Sequence, residues 1–176
     1  MEAYKEHHRK FVVKKVRFAI ITVSTSRFKL KSSRGQIKDV SGDLAEKMIK
    51  EAGYEVVYRD LVPDDIEEIR NVLKACKDKA DCILFIGGTG LSPTDVTPEA
   101  IEPLLERKLP GFGELFRIIS YQDIGPPAMI SRAFAGVYGK TVVFALPGSA
   151  QAVKTALEKL ILPEISHIVW LVKQGG

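Results

Sequence analysis

Continuous apolar runs alternate along the chain with stretches in which apolar positions recur every three or four residues. The first long run, Val16–Ser24 (VRFAIITVS), is nearly unbroken, as expected of a strand buried on both faces. Glu55–Val62 reads as a second strand and Asp81–Gly87 (DCILFIG) as a short third. Gly136–Leu146 contains another, with a possible hairpin at Tyr138-Gly139-Lys140. Between them, Leu44, Ala45, Met48, Ile49 and Ala52 in Gly42–Ala52 fall on one helix face, and Gly53 sits where that helix stops. Asp64–Lys77 does the same with Ile66, Ile69, Val72, Leu73 and Cys76. Thr97–Glu106 is predicted helical, with Thr97 as N-cap and Pro98 at the first helical position. Shorter helices are predicted over Gly113–Ser120 and from Ala150 to about Leu160, and a last one, Leu162–Val172, covers a sheet face. Polar Thr25–Asp39 reads as a connecting loop, of a length that goes with function or mobility. The alternation predicts an α/β fold.

Three predicted strands, ending near Ser24, Gly87 and Leu146, each run into a loop of Ser, Thr, Gly or Pro, and two of those loops feed helix starts. In open α/β sheets ligands sit at the carboxyl ends of the strands, and the N–H groups of a helix start favour anions. A phosphate-bearing small molecule is therefore the expected ligand.

Composition narrows the classes. Of 176 residues, 45% are hydrophobic and 27% charged, as in an ordinary globular domain. Cys76 and Cys82 are too few for a disulfide framework or a four-cysteine zinc site and read as core thiols. No apolar run nears the ~18 residues of a membrane span, so a soluble, cytoplasmic protein without a membrane partner is expected. The net charge of +4 is unevenly spread: residues 1–38 hold 11 of the 26 Lys and Arg but 2 of the 22 acids. That basic stretch lacks the aromatic interleaving or the fold that would argue for nucleic acid, and a solvated surface or an attraction for an anionic small molecule is preferred.

Gly87-Gly88-Thr89-Gly90 directly follows the third strand and lets backbone N–H groups approach a phosphate; the alternative is a tight turn needing positive φ. It is neither a Walker A loop nor a dinucleotide fingerprint. Asp95, five residues on, either holds Mg²⁺ and orients a reactant or reinforces a helix cap that Thr97 already supplies. Asp64 has the spacing of a capping box, with Glu67 reaching back to it. Pro147-Gly148-Ser149 offers a second anion-binding turn, Ser149 doubling as an N-cap. Arg132, after Ser131, pairs either with a phosphate or with a surface acid. His7, His8 and His167 form no ligand set or triad.

GGTG at 87–90 followed by Asp95-Val96-Thr97-Pro98-Glu99-Ala100, then Pro110-Gly111-Phe112-Gly113-Glu114, Ser131-Arg132 in ISRAFAGV and LPGS at Leu146–Ser149, resembles the MoaB/Mog family of molybdenum cofactor biosynthesis proteins, the MoaB branch above all. Thr22-Val23-Ser24 with Arg27, and Asp39–Gly42 as Asp-x-Ser-Gly, extend the resemblance over about Val16 to Lys173. It implies a three-layer α/β/α sandwich with a mostly parallel sheet, a single molybdopterin-binding domain over 16–176 behind a basic arm, 1–15. It also implies adenylyl transfer, in which Mg-ATP and molybdopterin give adenylyl-molybdopterin and pyrophosphate for a downstream metal-insertion protein. The family's two functional carboxylates fall on Asp64 and Asp95, Asp95 also as a ligand of Mg²⁺. Ser24, Gly87, Gly88, Thr89, Gly90, Thr97, Ser131, Arg132, Pro147, Gly148 and Ser149 fall at its substrate site. The rival readings are a non-catalytic molybdopterin-binding or scaffolding module and, more remotely, a nucleic-acid protein. A homotrimer or hexamer is expected, with Phe11, Val12 and Val13 of the arm buried against a neighbouring subunit.

Overall fold

The computed structural model describes residues 12–35 and 37–174, so His7, His8 and Phe11 lie outside the described residues. Six strands, β1 (Arg17–Val23), β2 (Glu55–Val62), β3 (Cys82–Ile86), β4 (Arg107–Lys108), β5 (Phe134–Tyr138) and β6 (Thr141–Leu146), form one sheet in the order β2-β1-β3-β6-β5-β4. β2, β1, β3 and β6 run parallel. β5 returns antiparallel to β6 through the predicted hairpin and carries the short β4 at the edge.

The alternation of side chains along each buried strand divides the core. Phe18, Ile20, Leu84, Phe144 and Leu146 face one layer, made by α2 (Val40–Glu51), α5 (Pro110–Ile124), α6 (Ala150–Ala156) and α7 (Leu162–Gln174). Ala19, Ile21, Ile83, Phe85, Val143 and Ala145 face the other, made by α3 (Ile66–Cys76) and α4 (Thr97–Ile101). The result is the expected three-layer sandwich. Among the described residues no helix is long and apolar enough to cross a membrane.

Several boundaries differ from the sequence expectation, each for a local reason. The polar stretch after β1 is not a loop but a helix, α1 (Thr25–Arg34), started by Ser24, whose hydroxyl accepts the Arg27 N–H. No described residue of α1 is buried, so it has no apolar stripe to betray it. α4 is shorter than expected because Pro103, which cannot donate an N–H, turns the chain into a 3₁₀ segment at Glu102–Leu104. α5 starts three residues before and ends four residues after its expected bounds, running from Pro110 to Ile124. α6 and α7 are joined by a π turn, Leu157–Ile161, just before Pro163, which offers no N–H to a regular α ladder. Of the apolar end of the arm, Val13 packs on this chain's own core, where a neighbouring subunit was expected, and donates its N–H to the Ser166 carbonyl at 3.1 Å; Val12 is exposed. Cys76 and Cys82 are buried free thiols as expected, burial pushing Cys76 up to about 11.

The amino-terminal end of the parallel strands is pinned by one buried carboxylate. Asp81, 4% exposed, accepts from the Arg17 N–H (2.9 Å), from Arg17 Nη2 (2.9 Å) and from Lys173 Nζ (2.8 Å), tying β3 to β1 and to the end of α7. Burial alone would push this carboxyl up, but the Arg17 and Lys173 side chains and the Arg17 N–H together hold it below the usual range. The folded value lies below the unfolded one of about 4. The stabilisation is therefore complete above that pH and is lost as pH falls through the depressed folded value. Asp81→Asn is expected to lower stability by about 1–3 kcal/mol at neutral pH, and the difference is expected to shrink as pH falls below the usual carboxylate range. Urea midpoints measured across that range check it; a constant difference at all pH values would contradict the assignment.

Candidate functional site

Three parallel strands deliver their loops to one place. Gly87 accepts the Thr97 hydroxyl on its carbonyl at 2.9 Å, and Gly88 accepts the Thr97 N–H at 3.0 Å, which folds GGTG back onto α4. Thr97 is thus a buried strut for the turn, and not the N-cap expected; Val96 takes that position and makes no side-chain cap bond. Gly88, with φ +64°, sits where a β-carbon would collide with the Thr97 hydroxyl and come 3.2 Å from Asp64 Oδ1. A β-carbon on Gly90 would come 2.7 Å from Asp95 Oδ2. The two predicted carboxylates therefore stand at two glycines of one turn.

Their anchors differ. Asp95 Oδ2 accepts the Ser92 N–H at 3.0 Å within its own loop. Asp64 Oδ2 accepts both the N–H (2.7 Å) and the hydroxyl (2.8 Å) of Thr25, and that hydroxyl accepts the Asp64 N–H at 2.9 Å. The expected capping box is not formed: Asp65 is the cap of α3, accepting from the Glu67 and Glu68 N–H groups. This leaves Asp64 Oδ1 facing the glycine turn.

Gly88, Thr89, Gly90, Asp95, Ser131, Pro147, Gly148 and Ser149 line a single cavity of about 420 Å³. Gly148 is held by Ser41, whose hydroxyl donates to its carbonyl at 2.7 Å, and Ser149 caps α6 by accepting the Ala152 N–H. Among the described residues nothing accepts the N–H groups of Gly88, Thr89, Gly90, Gly148 and Ser149. Ser24, Asp64, Gly87, Thr97 and Arg132 lie outside the cavity lining. Of these, Arg132 organises the turn: Nε donates to the Gly90 carbonyl (2.8 Å), Nη2 to the Asp95 carbonyl (2.7 Å) and Nη1 to Glu99. The surface-acid alternative for this arginine is the one the fold adopts.

Sequence reasoning missed the remaining wall. Phe116, Ser120, Asp123 and Ile124 of α5, Pro127, Ala128 and Ile130 of the following 3₁₀ segment, and Gln151, Ala152 and Thr155 of α6 complete the cavity. The spacing of 116, 120, 123 and 124 is a helix face, legible only if α5 is carried past Ser120 to Ile124.

Among the described residues no three His, Cys, Asp or Glu side chains gather as a metal cage. Mg²⁺ needs none where a substrate phosphate supplies ligands, since it is commonly held by one or two carboxylates and water. Asp95 at Gly90, with Asp64 at Gly88, fits that limited role. The cap reassignment carries a prediction: Asp65→Ala should lower stability by about 1 kcal/mol in denaturant unfolding. An unmoved midpoint would remove Asp65 as the cap.

Residues 19–167 match the family described as a probable molybdopterin binding domain. Molybdenum cofactor biosynthesis protein B of Bacillus cereus is 45% identical over 166 residues, which span 93% of this chain and 94% of that protein. A probable molybdopterin adenylyltransferase of Methanocaldococcus jannaschii is 36% identical over 165 residues, 93% of this chain and 98% of that one. The structure of the tungsten cofactor synthesizing protein MoaB from Pyrococcus furiosus superposes with a TM-score of 0.80 at 39% identity, covering 92% of this chain and 99% of that one.

Proposed function

We propose, for a chain that belongs to the MoaB/Mog family of molybdopterin-binding domains, that it is a molybdopterin adenylyltransferase of molybdenum or tungsten cofactor biosynthesis. The observation that carries this reading is the placing of Asp64 and Asp95 at Gly88 and Gly90 of the same turn, beside N–H groups left without acceptors.

In the proposed reaction a phosphate oxygen of molybdopterin attacks the α-phosphorus of ATP, and pyrophosphate leaves. Both reactants are anions, so the demand on the protein is alignment and charge compensation, with no covalent intermediate. The N–H groups of Gly88, Thr89, Gly90, Gly148 and Ser149 are free to bind phosphate oxygens. The turn that carries them is already braced by Thr97 and Arg132, so little reorganisation accompanies binding. When bound, Mg²⁺ would neutralise the nucleotide phosphates and the departing pyrophosphate, with Asp95 as its protein ligand. Thr25 fixes the Asp64 rotamer through Oδ2, leaving Oδ1 to orient a reactant or its hydrated ion at Gly88.

Incubating the purified protein with molybdopterin and Mg-ATP and assaying for adenylylated pterin tests the reading; binding of the pterin without turnover would leave a binding module in its place. Asp95→Ala is expected to reduce turnover by a factor on the order of 10² or more, and a variant as active as wild type would remove Asp95 from the mechanism. Asp64→Asn conserves shape but not charge. It should lose activity while its melting temperature barely moves, since the cap of α3 is supplied by Asp65.

A further inference from the structure

The cavity has two chemically distinct halves. At the strand ends it is lined by the GGTG and Pro-Gly-Ser turns and Asp95, and among the described residues no Lys or Arg lines it. Farther out, α5 and the segment after it contribute Phe116, Ile124, Pro127 and Ile130, a set of flat and apolar surfaces. A ligand with a phosphate at one end and a planar ring at the other matches both halves. Each substrate of the proposed reaction has that shape, so size and polarity alone do not choose between them.

Asp123 does. It lines the cavity from the α5 face that also carries Phe116 and Ser120. Among the described residues it has no ion-pair or hydrogen-bond partner, unlike Asp39, Asp81 or Glu99, each of which is paired. An ionised carboxylate only accepts. The edge of a 2-amino-4-oxopyrimidine presents two neighbouring N–H donors, from the ring nitrogen and the amino group, which a carboxylate takes as a pair of charge-assisted bonds. Adenine alternates a donor with a bare ring nitrogen along its edges, so one carboxylate oxygen would face a lone pair.

We infer that the outer half of this cavity seats the pterin ring of the substrate, with Asp123 as the specificity residue that accepts its two edge N–H groups, and that adenine is bound outside this half. The inference rests on molybdopterin being a substrate, but not on the chemistry that follows binding. It also predicts that guanine, which carries the same pair of donors, competes for the ring half.

The test uses pterin-6-carboxylate, whose own fluorescence reports binding, titrated into the full chain without ATP. Saturable binding to wild type is expected. Asp123→Asn, which replaces one acceptor by a donor at unchanged size on an exposed helix position, should weaken it tenfold or more. Guanosine should displace the pterin, and adenosine should not. Equal affinity for wild type and Asp123→Asn, displacement by adenosine as effective as by guanosine, or no saturable binding to wild type would each overturn the assignment. A protein that reads the pterin through Asp123 yet forms no adenylylated product would remove the adenylyltransferase reading alone. An active enzyme whose Asp123→Asn variant binds the probe unchanged would remove only the pterin assignment.

Discussion

Gly87 leaves β3 packed so tightly against the carbonyl oxygen of Val23, near the end of β1, that a β-carbon there would overlap it. On its other side its N–H donates to the Leu146 carbonyl at 2.9 Å, at the end of β6. This approach brings the ends of three parallel strands to one level at one point. The loops beginning at Ser24, Gly88 and Pro147 therefore emerge side by side, and the helices they feed start from the same edge. The cavity, the unpaired N–H groups and both carboxylates are consequences of that convergence. A side chain at Gly87 would separate β1 from β3 and undo them together.

The charges around this edge are used inward. Asp39, the N-cap of α2, is nearly enclosed, and burial alone would push its carboxyl up. The Thr22 hydroxyl (2.6 Å), the Gly42 N–H (3.2 Å) and Arg59 (3.1 Å) outweigh burial and hold it below the usual range. Arg27 of α1 reaches the same carboxylate at 3.3 Å. The cap set by Asp39 places Ser41, which in turn fixes Gly148. The basic excess of the N-terminal stretch is thus partly compensated by body acids, Arg17 by Asp81 and Arg27 by Asp39. That is a structural use of these two charges.

What the sequence could disclose followed from how each feature is encoded. β1 and β3 were legible because strands buried on both faces are nearly continuous apolar runs, and the β5–β6 hairpin because it turns at a glycine. The glycine turns and the two acids were legible as short motifs, at the right ends of the right strands. α1 was not, because all its described side chains are at least partly solvated and its composition matches a loop. Asp64 and Asp65 were exchanged as cap candidates because they are adjacent and equally suited. Only Thr25, 39 residues away in the chain, decides between them by taking Asp64 for itself. Asp123 was invisible for a similar reason: a carboxylate on an exposed helix position acquires meaning only when a cavity opens beside it.

The two carboxylates at the turn consequently have unequal supports. Asp95 is fastened within its own loop and, through its carbonyl, to Arg132, which also holds Gly90, so it moves with the turn as one body. Asp64 is fastened by Thr25, the first residue of a helix that has no buried side chain among its described residues. α1 is held at its base by Ser24, whose N–H reaches the Val62 carbonyl at 2.9 Å, and by the Arg27–Asp39 pair. Little apolar burial opposes a displacement of this helix, so its position rests on a few polar contacts. A ligand that competes with Thr25 for Asp64 acts on the least anchored helix, whereas one that engages Asp95 meets a braced wall. The asymmetry gives the site a rigid half, built on Asp95 and Gly90, and a half whose carboxylate, Asp64, is coupled to an adjustable element.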